Sequence, residues 1–145
     1  MDTAAGTVRI LVYEMQIPIR WGDMDAMGHV NNTVYFRFME QARISWFDEM
    51  GCRPNPAGEG PVIVNAACTF ARQFEYPGTV LARHYVGALG RSSILTYVDM
   101  LRTDDPDVVY AHGSAKVVWV NFQQQKSVPM PDTIRNLMQR PWPHG

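Results

Sequence analysis

IRWGDMDAMGHVNN, residues Ile19–Asn32, runs without a break into TVYFRFMEQARISWFDEM, residues Thr33–Met50. The second stretch repeats apolar side chains at three- and four-residue steps: Tyr35, Phe38, Met39, Ala42, Trp46 and Met50. That period is helical. Phe36 and Phe47 widen the apolar surface beyond one stripe, and a helix apolar over most of its circumference is expected to be buried. Asn31 and Asn32 are suited to cap its start, and Gly51 stands where helices commonly stop. Ahead of the helix, Gly22 and Gly28 break residues Gly22–Asn32 into a loop.

Working outward, Val8–Arg20 (VRILVYEMQIPIR) has the β-branched and aromatic content of a strand, with Pro18 pointing to an edge or a bulge. Beyond the helix, CRPNPAGEG (Cys52–Gly60) is a turn-rich loop. Four strands are predicted after it: Pro61–Gln73, Thr79–Leu89, Ser92–Thr103 and Val108–Phe122. The breaks at Tyr76-Pro77-Gly78, Gly90-Arg91 and Thr103–Asp107 each read as a hairpin connection. Ile94, Thr96, Val98 and Met100 alternate with Leu95, Tyr97, Asp99 and Leu101, and apolar residues on both sides predict a sheet covered on both faces. Pro131–Gln139 is a short terminal helix. One strand, a long buried helix and four antiparallel strands are satisfied by one sheet wrapped around that helix. The chain is expected to form one α+β domain over residues 1–145, with loose tails at 1–6 and 140–145.

Composition narrows the function. A formal net charge of −1 without a basic run argues against nucleic-acid binding. Cys52 and Cys68 are far apart and outside any C-x-x-C pattern, so neither a zinc site nor a disulfide scaffold is expected. The N-terminus has no signal-peptide pattern, and no apolar run approaches the roughly 20 residues that span a bilayer, so a cytoplasmic protein is expected. Four Trp, six Tyr, six Phe and nine Met are enough for a large core or for apolar surface at a subunit interface.

The chemistry concentrates in the loop. Asp23 and Asp25 are its acids, and the helix start at Asn31-Asn32 gathers unpaired N–H groups and positive dipole. A backbone donor there can hold the oxyanion of an acyl transfer, while a nearby carboxylate activates water or attacks the carbonyl itself. Spacing alone leaves Asp25 open between this role and that of a turn former. His29 is open between an acid–base partner and a loop hydrogen-bonder. Glu40 lies eight residues beyond Asn32, about 12 Å along the axis, too far to share a carbonyl held there. It reads as an ion-pair partner of Arg37 or Arg43.

Trp21-Gly22-Asp23-Met24-Asp25 with Gly28, His29-Val30-Asn31-Asn32, and then Tyr35, Glu40 and Arg43 together resemble the hotdog-fold acyl-CoA thioesterases of the 4-hydroxybenzoyl-CoA thioesterase type, in their fatty-acyl branch. Phe74–Gly78, Gly90–Ser93 and Ala111–Val120 with Lys126 and Pro129 continue the likeness over nearly the whole chain. Asn121 departs from it, since relatives often carry Asp there. The resemblance implies a hotdog fold, one five-stranded antiparallel sheet around a long helix. It implies hydrolysis of a fatty-acyl or aromatic acyl-CoA, with Asp25 as the catalytic carboxylate and the Asn32 N–H as the oxyanion donor. His29, Tyr35, Arg91, Ser92 and Ser93 are the expected substrate-binding residues. The Arg91–Ser93 turn is open between a CoA phosphate anchor and a merely solvated turn. No metal or cofactor is expected, coenzyme A being part of the substrate. Such proteins pair sheets edge to edge, so a homodimer at least, and a tetramer by analogy, is expected. A hotdog enoyl-CoA hydratase and a non-catalytic acyl-CoA-binding module are the alternatives.

Overall fold

The computed structural model describes residues 8–52 and 55–144. Along the chain come β1 (Ile10–Pro18), a single 3-10 turn (Trp21–Asp23), α1 (Asn32–Glu49), β2 (Glu59–Phe70), β3 (Thr79–Leu89), β4 (Ser93–Arg102), β5 (Asp105–Asn121), β6 (Lys126–Ser127) and α2 (Asp132–Met138). Every strand pair is antiparallel, and the sheet order is β1-β3-β4-β5-β2, with β6 on β5. Among the described residues the sheet therefore has six strands and not five. The extra one is only two residues long and follows the turn after Asn121, whose side-chain carbonyl accepts the Gln124 N–H at 2.8 Å.

The turns after β3 and β4 are hairpins, as expected, but Tyr76-Pro77-Gly78 is not one. β2 does not pair with β3. Both edges of β3 are occupied, by β1 and β4, and the free edge lies on the 17-residue β5. β2 pairs there from Glu59↔Asn121 to Phe70↔Ala111. Residues 71–78 carry the chain back across the sheet, which curls it about α1.

Two packed clusters fill the space between helix and sheet. Tyr35, Phe38, Met39 and Ala42 meet Phe74, Val80, Val98 and Met100 at the N-terminal half of α1. Trp46, Phe47 and Met50 meet Val12, Ile94, Val117, Trp119 and Met138 at the other half, with α2 closing the end. Helix and sheet are nearly in contact at Gly113, where a Cβ would stand 2.6 Å from Met39 Cε.

α1 is not buried all round. One sheet covers one side, and Phe36 and Ile44 on the other are 37% and 51% exposed. The outer face of the sheet is likewise only part-covered, with Leu95 exposed. β2 is an edge strand, and its Val64 is 55% exposed. The expected loose C-terminal end is docked instead. Trp142 N–H donates to the Leu11 carbonyl at 2.8 Å, its ring meets Tyr13 edge-on, and His144 pairs with Glu49. The expected N-terminal tail, 1–6, lies outside the described residues. Among the described residues, no helix is long and apolar enough to cross a membrane.

Candidate active site

The loop between β1 and α1 is tied down along its whole length. Ile19 N–H donates to the Gly78 carbonyl, and the Asp23 carboxylate accepts the Arg20 N–H at 2.8 Å and its guanidinium at 3.3 Å. Asp23 is buried, and its own carbonyl accepts the Asn31 N–H at 3.0 Å. This acid shapes the loop.

A tight turn sits on that base. Met24 bridges Val30, Asp25 N–H donates to the His29 carbonyl at 2.9 Å, and Gly28 N–H returns to the Asp25 carbonyl at 3.1 Å. Gly28 closes the turn at φ 79°, the left-handed region that glycine enters without steric cost. The Asp25 carboxylate is exposed, with Oδ1 accepting the Met27 N–H at 2.9 Å. Oδ2 has no hydrogen-bond partner among the described residues. The turn thus points one carboxylate oxygen outward.

The helix start is capped by Asn31, whose side chain accepts the Thr33 N–H at 2.9 Å. Asn32 is the first helical residue, and its N–H has no hydrogen-bond partner among the described residues. Unpaired donors at a helix start carry the positive end of the helix dipole.

Tyr35 is fully buried. Its hydroxyl accepts the Phe74 N–H at 3.0 Å and donates to the Arg72 carbonyl at 3.4 Å, while the Phe74 carbonyl accepts the Val30 N–H. The phenol therefore holds the segment that holds the loop. His29 is half-exposed and lies 3.7 Å from the Glu75 carboxylate. No local pattern in the sequence marked Glu75 as its neighbour.

Arg91, Ser92 and Ser93 do not join these residues within one chain. Their turn lies at the far end of β3, an 11-residue strand of about 35 Å. The carbonyls of Arg91 and Ser92 accept N–H groups from Met130 and Trp119, while the Arg91 side chain is exposed. Arg83 and Arg102, also on the sheet, are engaged by Glu14 and by Asp104 with the Glu75 and Pro77 carbonyls. Burial pushes the Cys52 and Cys68 thiols up to about 11, which removes a thiolate nucleophile at neutral pH.

Glu40 pairs with Arg37 at 2.9 Å. It also stands on the open face of α1, where it borders two grooves. One, about 430 Å³, lies toward β1 and the loop, beside Arg20 and Phe38. The other, about 230 Å³, lies toward β2 and is lined by Arg43 and Asp48 together with apolar side chains.

The profile of the thioesterase-like superfamily matches residues 19–137, from the first residue of the loop to the last helix. The chain belongs to that superfamily. Three solved structures resemble this thioester hydrolase. The PA2801 protein of Pseudomonas aeruginosa, a candidate thioesterase, is 41% identical, with a TM-score of 0.83 over 87% of this chain and 97% of its own. A candidate acyl-CoA thioesterase from Xanthomonas campestris is 29% identical, with a TM-score of 0.72 over 83% of this chain and 99% of its own. The gentisyl-coenzyme A thioesterase BH1999 is 26% identical, with a TM-score of 0.74 over 86% and 98%. The sheet and long helix of this hydrolase follow the hotdog arrangement of these neighbours.

Proposed function

We propose that this chain hydrolyses acyl-CoA thioesters at the loop that holds Asp25. What supports the reading is that one hydrogen-bonded loop carries both an exposed Asp25 carboxylate, with Oδ1 accepting the Met27 N–H, and a helix start at Asn32 whose N–H is unpaired among the described residues. The thioester carbonyl oxygen docks on the Asn32 N–H, which gains strength as the oxygen becomes an oxyanion. Asp25 takes a proton from water as the water oxygen bonds to the carbonyl carbon, and collapse of the tetrahedral intermediate expels the CoA thiolate. In the other route Asp25 attacks the carbon itself, the C–S bond breaks to release the CoA thiolate, and water then hydrolyses the mixed anhydride to the free acid and the Asp25 carboxylate. No metal or cofactor enters either route.

The site is completed by a second copy. β2 is a long free edge beside the open face of α1, and its pairing with the same edge of another chain is isologous. The two-fold turns the partner end for end, so its Arg91–Ser93 turn comes to the end of the sheet where Asp25 stands, within reach of CoA phosphates. His29 borders the acyl thioester there, and Tyr35 supports the loop from beneath. Pairing of dimers into a tetramer is part of the same reading.

A second reading moves the acid to Glu40, favoured by its place on both grooves of α1. Thiol release from a panel of acyl-CoAs separates the two. Asp25→Asn should lower kcat by about 10²–10⁴ with folding intact. Parent-like turnover in Asp25→Asn, together with loss in Glu40→Gln, would transfer the role to the helix. Oxygen-18 appearing in Asp25 after a single turnover would identify the anhydride route.

A further inference from the structure

The Asp25 loop leans on residues 71–78, a segment that belongs to no strand. Their contacts lie at both ends of the loop. The Gly78 carbonyl accepts the Ile19 N–H at 2.8 Å, and the Phe74 carbonyl accepts the Val30 N–H at 2.9 Å. Between them, Tyr76 N–H donates to Met24 Sδ at 3.4 Å, and the Glu75 carboxylate stands 3.7 Å from His29. Met24, His29 and Val30 frame the Asp25 turn, through the Met24–Val30 bridge and the bond from Asp25 N–H to the His29 carbonyl. A shift of residues 74–78 therefore carries that turn with it.

Two further carbonyls of the segment meet one side chain. Arg102, the last residue of β4, donates from Nη1 to the Glu75 carbonyl at 2.9 Å and from Nη2 to the Pro77 carbonyl at 2.8 Å. Asp104 fixes the same guanidinium, accepting from Nε at 2.8 Å and from Nη2 at 3.2 Å. All three nitrogens are thus engaged within the chain, and the side chain is only 15% exposed. Gly78 leaves room for this arrangement, since a Cβ there would overlap the guanidinium.

We propose that Arg102 is a positioning residue for thioester hydrolysis: it holds residues 74–78, and they hold the Asp25 turn against the helix start at Asn32. This rests on the thioesterase reading. The planar guanidinium suits the task because its rigid fork reaches two carbonyls and a carboxylate at once, which an ammonium cannot do. A displacement of about 1 Å at a reacting centre can cost about 10²-fold in rate. Arg102 touches neither Asp25 nor the residues placed against CoA, so its loss should appear in kcat and not in KM.

The test follows thiol release from the best acyl-CoA of a panel. In Arg102→Ala, kcat should fall about ten- to a hundredfold, with KM within about threefold of the parent. Arg102→Lys, which can reach one carbonyl, should keep part of the rate. Arg83→Ala removes another arginine–carboxylate pair of the sheet, with Glu14, and should leave kcat unchanged. A parent-like kcat in Arg102→Ala, an equal loss in Arg83→Ala, or a rise in KM alone overturns the proposal. Hydrogen exchange reads the same link without turnover. Amides of residues 19–32 should exchange at least tenfold faster in Arg102→Ala while those of β2 are unchanged, and equal protection in the two proteins overturns the assignment. If the parent releases thiol from no ester, the thioesterase reading fails, and exchange still decides whether Arg102 holds the loop. Should Arg102→Ala fail to fold, Gly78→Ala displaces the guanidinium and should give the same fall in kcat and the same faster exchange. Parent-like values there also overturn it.

Discussion

His84 ought to make this fold acid-sensitive by an amount that can be worked out. The side chain is completely buried on β3, its ring tilted 39° against that of Trp46 with centroids 4.7 Å apart, and neither ring nitrogen has a hydrogen-bond partner among the described residues. Burial, and then the Arg43 guanidinium, lower its pKa from 6.5 to about 3. Between about pH 3 and 6.5 the imidazole is therefore neutral in the folded chain while the unfolded chain protonates it. Because the unfolded state binds the extra proton, stability falls as pH drops from about 6.5 toward 3. Between pH 8 and pH 5 the loss is about 2 kcal/mol, rising by about 1.4 kcal/mol for each further pH unit down to the folded value. The figure at pH 5 hardly changes for any folded pKa below about 4, so it depends on the ring staying neutral rather than on the depth of the shift.

His84→Phe keeps an aromatic ring of similar size, removes the titration and removes two unpaired nitrogens. Urea unfolding at fixed protein concentration, followed by Trp fluorescence at pH 8, 6.5 and 5, gives the stability of each protein. Other titrating groups are common to both and cancel in the difference. The variant should gain about 2 kcal/mol on the parent between pH 8 and pH 5. Parallel losses in the two proteins would refute a buried, neutral His84.

Three further outcomes are expected. Tyr35→Phe leaves the buried Phe74 N–H without its acceptor, which should cost about 1–3 kcal/mol in chemical unfolding and lower kcat through the loop that Phe74 supports. Gly28→Ala meets no atom within 4 Å but must adopt φ 79°, so it should lose about 1 kcal/mol by backbone strain alone, with Gly28→Asn recovering part of it in a thermal melt. Val64→Glu, at an exposed position of the β2 edge, should lower the light-scattering mass to that of one chain while circular dichroism is unchanged.

The elements were legible because they depend on neighbours in the chain. β3 spans Thr79–Leu89 as the turn residues around it imply, and α1 begins at Asn32 behind an Asn31 cap. The Asp25 turn was legible for the same reason, since Gly28 and the two Asn residues act within a few positions of it. Its hydrogen bonds to Phe74 and, through Phe74, to Tyr35 were not. They join residues 39 or more positions apart, and no periodicity records such a contact.

By itself, the sequence determined which segments are helix and strand and which loop carries an acid before a helix start. Those choices follow from backbone preference, capping and side-chain period, all of them short-range. Tertiary structure alone decided that β2 closes on β5 and that one side of α1 stays open. It also decided that His84 and one guanidinium nitrogen of Arg43 are buried without a hydrogen-bond partner among the described residues, and that Arg91 lies a full strand away from Asp25. Those outcomes depend on which sheet edge remains free and which surface one curled sheet can cover, and the loop of Ile19–Asn32 acquires its surroundings only once that contest is over.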